Sequence, residues 1–394
     1  MTSVPTPDRV ASSSVASGKP MIFLLIRALS VGGAERQVVQ LANALAERGN
    51  PVGLVTLYDK GPLEQAIDGR GVRRFSLAKG GRWDLVLPLF RLVRLLRRER
   101  PALLYAFLPG QTALAGLIRP ILPPLRLVFA LRGSFDYGET DWLQRLVYAL
   151  ESRFARRADL IIANSEAGRT AALRRFMPAD RVIVIDNLID TARFAPDPMA
   201  RQRQRTAWGV ADRAPLIGMA ARLDPMKGHE TFLAAAARLR QERPEARFVL
   251  IGAGPEAYRR RLVSRALALG LEPALVWAGE CRDMPAAYNA LDVATLSSDA
   301  GEGFPNAVAE AMACGVPVAA TDSGDAARLI GDTGMVVPPR DPARLAAAWG
   351  TLLEAEHTAL GSAARQRILR EFDMERTLDD NLRALMGLLD SPVP

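Results

Sequence analysis

Histidine and cysteine are scarce: His229, His357, Cys281 and Cys314 are the whole supply in 394 residues. So few imidazoles nearly exclude a His-based zinc site. Two thiols make no disulfide framework, which sets a reducing compartment as the default. Both cysteines sit in apolar surroundings, the setting of inert core thiols rather than reactive ones. The G-x-S-x-G elbow, the H-E-x-x-H pair and the Walker P-loop are all missing. So is any D-x-D pair that would hold a metal-bound nucleotide, and the expectation is chemistry with no metal and no cofactor. No apolar run reaches the length of a membrane span. Met21 to Ile26 is too short for a signal sequence, and no small-residue cleavage site follows it.

What is present is a globular composition, 49% hydrophobic and 24% charged. The length suits two domains of ordinary size better than one core. The net charge of +8 is unevenly spread, because residues 1–195 hold 28 Lys and Arg against 17 Asp and Glu. Whatever the basic charge attracts binds the first half. The expected organisation is a disordered Ser- and Pro-rich leader over residues 1–20, a first domain over 21–195 and a second over 206–372. A last helix over 373–394 would cross back to the first domain. The Pro-, Gln- and Arg-rich stretch Pro196 to Arg205 marks the boundary.

Strand-like apolar runs alternate with amphipathic stretches throughout, which predicts α/β architecture with two doubly wound, Rossmann-like domains facing across a cleft. The chain opens with a strand over Met21 to Ile26. The turn Ser30-Val31-Gly32-Gly33-Ala34-Glu35-Arg36 then leads into a helix ending at Gly49. Glycines at a first βα turn bring backbone N–H groups to a cleft, although a tight turn alone also explains them. Trp83 to Arg100 interleaves leucines with five arginines, and Arg82 precedes it. It fits an ordinary outer helix, and equally one that lies on an anionic membrane with its apolar face down.

In the second half, Leu216 to Ala220 is a strand and Arg222-Leu223-Asp224-Pro225-Met226-Lys227-Gly228 is the turn that follows. Arg222 and Lys227 therefore lie on the ligand edge of an open parallel sheet, where a guanidinium fork and a point charge match a diphosphate. Solvated loop charge is the plainer reading. Gly252-Ala253-Gly254-Pro255-Glu256-Ala257 after a strand has the form of a dinucleotide fingerprint, against which Pro255 and its late position in the domain argue. The stretch Gly301 to Gly315 reads as loop, helix and left-handed cap, with Glu302 at the loop tip and Glu310 inside the helix. Carboxylates accept hydrogen bonds from neighbouring sugar hydroxyls. Taken alone, the pair also fits one core-edge and one solvated acid.

The whole string, Ser297-Ser298 through Glu302-Gly303-Phe304-Pro305-Asn306 to Glu310-Ala311-Met312-Ala313-Cys314-Gly315, resembles the E-x7-E signature of retaining glycosyltransferases of family 4. Three other stretches carry the same resemblance: the Gly32–Gly33 string, Arg222 to Gly228, and the hinge-like run Asp186 to Phe194 with Leu188 in place of the common Gly. The resemblance covers nearly the whole chain from Met21 and implies the two-domain GT-B fold. It implies a bacterial enzyme of surface-polysaccharide or lipopolysaccharide synthesis that moves a sugar from a nucleotide-diphosphate sugar, a UDP-sugar favoured, to a lipid-linked or polysaccharide acceptor. Location would be cytoplasmic, peripheral on an anionic membrane, and no nucleic acid is implied as a partner. By position, Arg222 and Lys227 would stabilise the leaving diphosphate, Glu302 would orient the donor sugar, and Glu310 would hold the ribose. Gly252 and Arg282 would line the nucleotide, while Gly303, Phe304, Pro305 and Asn306, with Gly32 and Gly33 opposite, would line the substrate. Family members often place a His after the strand that ends at Leu131; here Arg132 or Ser134 stands nearby, and Arg132 is taken as an acceptor-side candidate. A nucleotide-sugar epimerase of the same fold and a non-catalytic sugar-binding module are the rival readings.

Overall fold

The computed structural model describes residues 19–391 apart from 31, 60, 68–70, 82–83, 85, 135–141 and 356. The expected leader, and Trp83 and Leu85 of the arginine-rich stretch, lie outside those residues except for the leader's end.

The first sheet is built from β1 (Ile22–Ile26), α1 (Gly33–Glu47), β2 (Val52–Thr56), β3 (Val72–Ser76), α2 (Val86–Glu99), β4 (Leu103–Phe107), α3 (Pro109–Ile118), β5 (Arg126–Leu131), α4 (Trp142–Phe154), β6 (Leu160–Ala163), α5 (Glu166–Arg174) and β7 (Val182–Val184). Its seven strands run parallel in the order β3-β2-β1-β4-β5-β6-β7. β1, β2, β4 and β5 are buried at every residue, as strands must be when helices cover both faces. The order reverses between β1 and β4, so right-handed crossovers put α1 on one face and α2 to α5 on the other. The two core clusters divide the same way: Val38, Leu41 and Leu45 of α1 belong to one, and Leu92 and Leu96 of α2, Ala115 of α3 and Ala172 of α5 to the other.

The second sheet follows through α6 (Pro198–Ala207), β8 (Leu216–Ala220), α7 (His229–Glu242), β9 (Arg247–Ile251), α8 (Glu256–Ala268), β10 (Leu275–Gly279), α9 (Met284–Asn289), β11 (Val293–Leu296), α10 (Asn306–Ala313), β12 (Val318–Thr321), α11 (Ala326–Ile330), β13 (Met335–Val337), α12 (Pro342–Glu354), α13 (His357–Glu371) and α14 (Met374–Asp390). Its six parallel strands are ordered β10-β9-β8-β11-β12-β13, reversing between β8 and β11. The α/β doubly wound architecture is thus as the alternation predicts. α14 packs Leu378 and Leu385 into the core of the first sheet, beside Ile22 and Val38.

The stretch Pro196 to Arg205 is no loose connection: most of it folds as α6. Asp197 caps it by accepting from Ala200 N at 2.9 Å. Arg205 is fully buried, where it donates to Ala290 O at 2.7 Å and to Asp292 Oδ2 at 3.3 Å. Elements also form where none is expected, β3, α9, α11 and α13 among them. β3 is an edge strand whose Arg73 and Arg74 stay exposed, which disguises it among polar loop residues.

Candidate functional site

Parallel sheets bind ligands outside the carboxyl ends of their strands, beside the point where the order reverses. In the second sheet that point separates β8 from β11, and the loops following these two strands carry Lys227 and Glu302. Backbone contacts stitch the loops together. Asp299 N donates to Met226 O at 2.9 Å, and Ser297 Oγ donates to Gly228 O at 3.0 Å. Gly228 is left-handed at φ +67, and a Cβ there would lie 1.8 Å from Ser297 O. Only glycine permits both the conformation and the approach.

The result is a close ion pair: Lys227 Nζ lies 2.6 Å from Glu302 Oε1. Ser298 Oγ donates to the same oxygen at 2.5 Å. Glu302 is buried, and these two donors satisfy its carboxylate. Arg222 lies on the β8 loop with an exposed guanidinium, 2.7 Å from Asp224 Oδ2. Gly252 ends β9 at φ +137, where a Cβ would sit 2.1 Å from Ala221 O. A Cβ on Gly254 would lie 2.3 Å from Leu223 O. Both glycines of the fingerprint-like string are therefore demanded by packing against the β8 loop, whatever binds there. Arg282 is exposed beyond the end of β10.

Across the cleft, the start of α1 faces the start of α10. A Cβ on Gly33 would lie 3.2 Å from Asn306 Nδ2, and Arg36 Nη1 lies 3.9 Å from Glu310 Oε1. Two positive helix ends converge on one space, which favours an anion between them. Gly32 caps α1, with the Glu35 carboxylate folded over it toward Ser30 Oγ at 3.1 Å. Glu310 is buried and accepts from the Tyr288 hydroxyl at 3.0 Å. Burial pushes its carboxyl up, while the facing Arg36 pulls it back.

The other anticipated residues have protein partners of their own. Phe304 is a core residue at 4% exposure, its ring 5.8 Å from that of Phe372, so only its backbone can meet a ligand. Pro305 is the N-cap of α10 rather than its first residue. Gly303 abuts the first domain, since a Cβ there would lie 2.6 Å from Asn164 Oδ1. Arg132 is half-buried over Phe107 at 4.9 Å and donates to Asn187 Oδ1 at 2.9 Å. Asn187 Nδ2 in turn donates to Asn306 Oδ1 at 2.7 Å. Arg132 thus joins the site through a relay of amides. Sequence reading did not single out Tyr288 or Asn187 as site residues. A Tyr in the short helix before the strand that leads to the Glu302 loop, and an Asn in the hinge-like run, are their only traces.

Residues 31–193 match the family described as Glycosyltransferase Family 4, and residues 214–355 that described as Glycosyl transferases group 1. A D-inositol 3-phosphate glycosyltransferase of Kineococcus radiotolerans is 32% identical over 390 residues, covering 85% of this chain and 86% of that protein. The chain belongs to glycosyltransferase family 4. A second relative is the GDP-mannose-dependent alpha-(1-6)-phosphatidylinositol monomannoside mannosyltransferase of Mycolicibacterium smegmatis. It is 33% identical over 225 residues, 54% of this chain, and the match spans only 58% of that protein's length. Among solved structures, HepE of Anabaena in complex with UDP superposes with a TM-score of 0.80 at 25% identity, covering 93% of this chain and all of that one. The two sheets described above are the two halves of the GT-B fold that the family shares.

Proposed function

We propose that this family 4 protein is a retaining glycosyltransferase that takes its sugar from a nucleoside-diphosphate sugar, a UDP-sugar favoured, without a metal ion. The observation that carries the reading is the Lys227–Glu302 pair, which joins the loop that also bears Arg222 to the loop leading into α10, whose start faces that of α1. In this reading Arg222 and Lys227 bind the diphosphate and stabilise the charge that grows as it leaves, the stage at which fixed electrostatics helps most. Glu302 orients the donor sugar, and Glu310 meets the ribose. The bond from anomeric carbon to diphosphate breaks as the acceptor oxygen bonds to the same face. The acceptor proton passes to the leaving phosphate oxygen, so no carboxylate nucleophile is required.

The acceptor is proposed to be lipid-linked or a growing polysaccharide, met at an anionic membrane. The outer face of the α2–α5 layer supports this. It exposes Val86 and Phe90 of α2, Trp142 of α4 and Phe176 just after α5, at 80%, 61%, 72% and 87%. Exposed Arg94, Arg97 and Arg98 lie on the same layer. Rings and aliphatic chains among arginines are the make-up of a surface that rests on acidic headgroups. The Mycolicibacterium relative is named for a phosphatidylinositol-linked acceptor. Among the described residues no helix is long and apolar enough to cross a membrane.

The test is turnover of UDP-glucose and of GDP-mannose with bacterial lipid extract as acceptor, with the anomeric configuration of the product read by NMR. Retention of the donor's configuration is the expected result; inversion would refute the mechanism.

A further inference from the structure

The loop that carries Glu302 is held by both domains, and one side chain joins the two holds. Asp325 lies at the start of α11 and is 4% exposed. Its backbone N–H donates to Gly303 O at 2.9 Å. Its carboxylate crosses to the first domain, where Oδ2 accepts from Glu166 N at 3.0 Å and Oδ1 from Ala167 N at 2.9 Å. These are the first two N–H groups of α5, which lack partners within that helix. Ser165 Oγ takes the third, from Gly168 N at 2.9 Å. Arg328 completes the clasp: its Nε lies 2.8 Å from Asp325 Oδ2 and its Nη2 pairs with Asp186 of the hinge-like run. On the same seam Ser134 Oγ donates to Glu302 O. Gly324 at φ +60 lies so near the loop that a Cβ would be 2.5 Å from Gly303 O.

We propose that Asp325 is a positioning residue that makes the placement of the Glu302 loop conditional on closure of the cleft. When the domains meet, its carboxylate finds the α5 N–H groups, and its backbone then holds the loop at the height where Glu302 pairs with Lys227. When they part, two N–H groups and the buried carboxylate lose each other, and the loop loses its seat against Ser134 and Asn164. Opening therefore disables the sugar-orienting carboxylate and breaks its pair with Lys227, while Arg222 and Lys227 stay on their own β8 loop to meet the diphosphate. What Glu302 does follows the function proposed above; the clasp itself does not depend on it.

Two variants on opposite sides of the seam test this. Asp325→Asn keeps the size but removes the charge that both N–H groups and Arg328 address. Glu166→Pro removes one of those N–H groups at the first position of α5, where proline is tolerated, and Ser165 before it is already extended at φ -166 and ψ 157. Spin labels at Arg98→Cys and Glu245→Cys, both exposed and in separate domains, report the interdomain distance in a Cys281→Ser background. Affinity for UDP or GDP is expected to stay within about threefold of the parent. Turnover of UDP-glucose or GDP-mannose is expected to fall by about tenfold or more. The distance distribution should lengthen and broaden, and the double variant should do little worse than either single one. Parental turnover, or a parental distance distribution, in both folded variants would overturn the clasp. Should the parent bind neither UDP nor GDP, the transferase reading fails, and the distances without nucleotide still decide the clasp.

Discussion

At the scale of the residue, the account rests on Lys227 and Glu302, which the fold brings to 2.6 Å across 75 residues of chain. Lys227→Ala should abolish stabilisation by nucleoside diphosphate and lower turnover by about 100-fold or more, because a cation at the leaving group acts mainly in the transition state. Glu302→Gln should lower turnover by a similar factor, about 100-fold, while leaving diphosphate affinity nearly intact. Steady-state kinetics beside calorimetry separates the two; equal loss of affinity in both variants would undo the division of roles. A neighbour gives a stability prediction. His229 opens α7, is 1% exposed, and is pushed by burial from 6.5 down to about 4. As pH falls below 6.5 the unfolded chain takes up the proton and the folded one does not, so stability drops until about pH 4 and no further on this group's account. The loss amounts to about 3 kcal/mol. Urea titrations across that window should show a flatter slope for His229→Gln than for the parent; parallel slopes would mean that the imidazole titrates normally.

At the scale of the element, the outer layer of the first domain carries its own prediction. α2 buries Leu92, Val93, Leu95 and Leu96 against the sheet and leaves Val86, Leu87 and Phe90 in water. The buried side fits an ordinary outer helix, and the exposed side is what the proposed membrane contact would use. Replacing Val86 and Phe90 together by Asp should weaken sedimentation with phosphatidylglycerol vesicles at low salt by about tenfold, through lost apolar contact and added repulsion. Phosphatidylcholine vesicles should bind neither protein, and equal sedimentation of parent and variant would remove the lipid surface from the account. The elements also show what the chain makes legible. Buried strands such as β5, β8 and β9 announce themselves as short runs that are almost wholly apolar, and β8 has the bounds expected of it. β3 does not, because an edge strand needs charge where a central one needs apolar side chains. α6 is hidden for a different reason: its internal Arg205 is satisfied by Asp292, which lies 87 residues away.

At the scale of the whole molecule, the two halves meet through polar contacts that local pattern does not predict. Arg222, Lys227, Glu302 and Glu310 stand out as candidates because each lies in a short string whose loop and helix are local. Asn187 to Asn306, Asp325 to α5 and Arg328 to Asp186 join residues 119, 158 and 142 positions apart or more. Their partners exist only once both sheets are formed and facing. What the chain hides is therefore the seam between the domains, and on that seam the Glu302 loop depends. The central claim, that this cleft holds a nucleoside-diphosphate sugar through side-chain cations, is tested most directly by thermal shift of the purified protein with UDP, GDP, ADP and NAD, each with and without EDTA. A single nucleoside diphosphate should raise the melting temperature equally in both conditions, by the equivalent of about 2.7 kcal/mol at roughly a hundred times its Kd, and Lys227→Ala should erase the effect. A shift with NAD alone, or a diphosphate shift that EDTA abolishes, would contradict it.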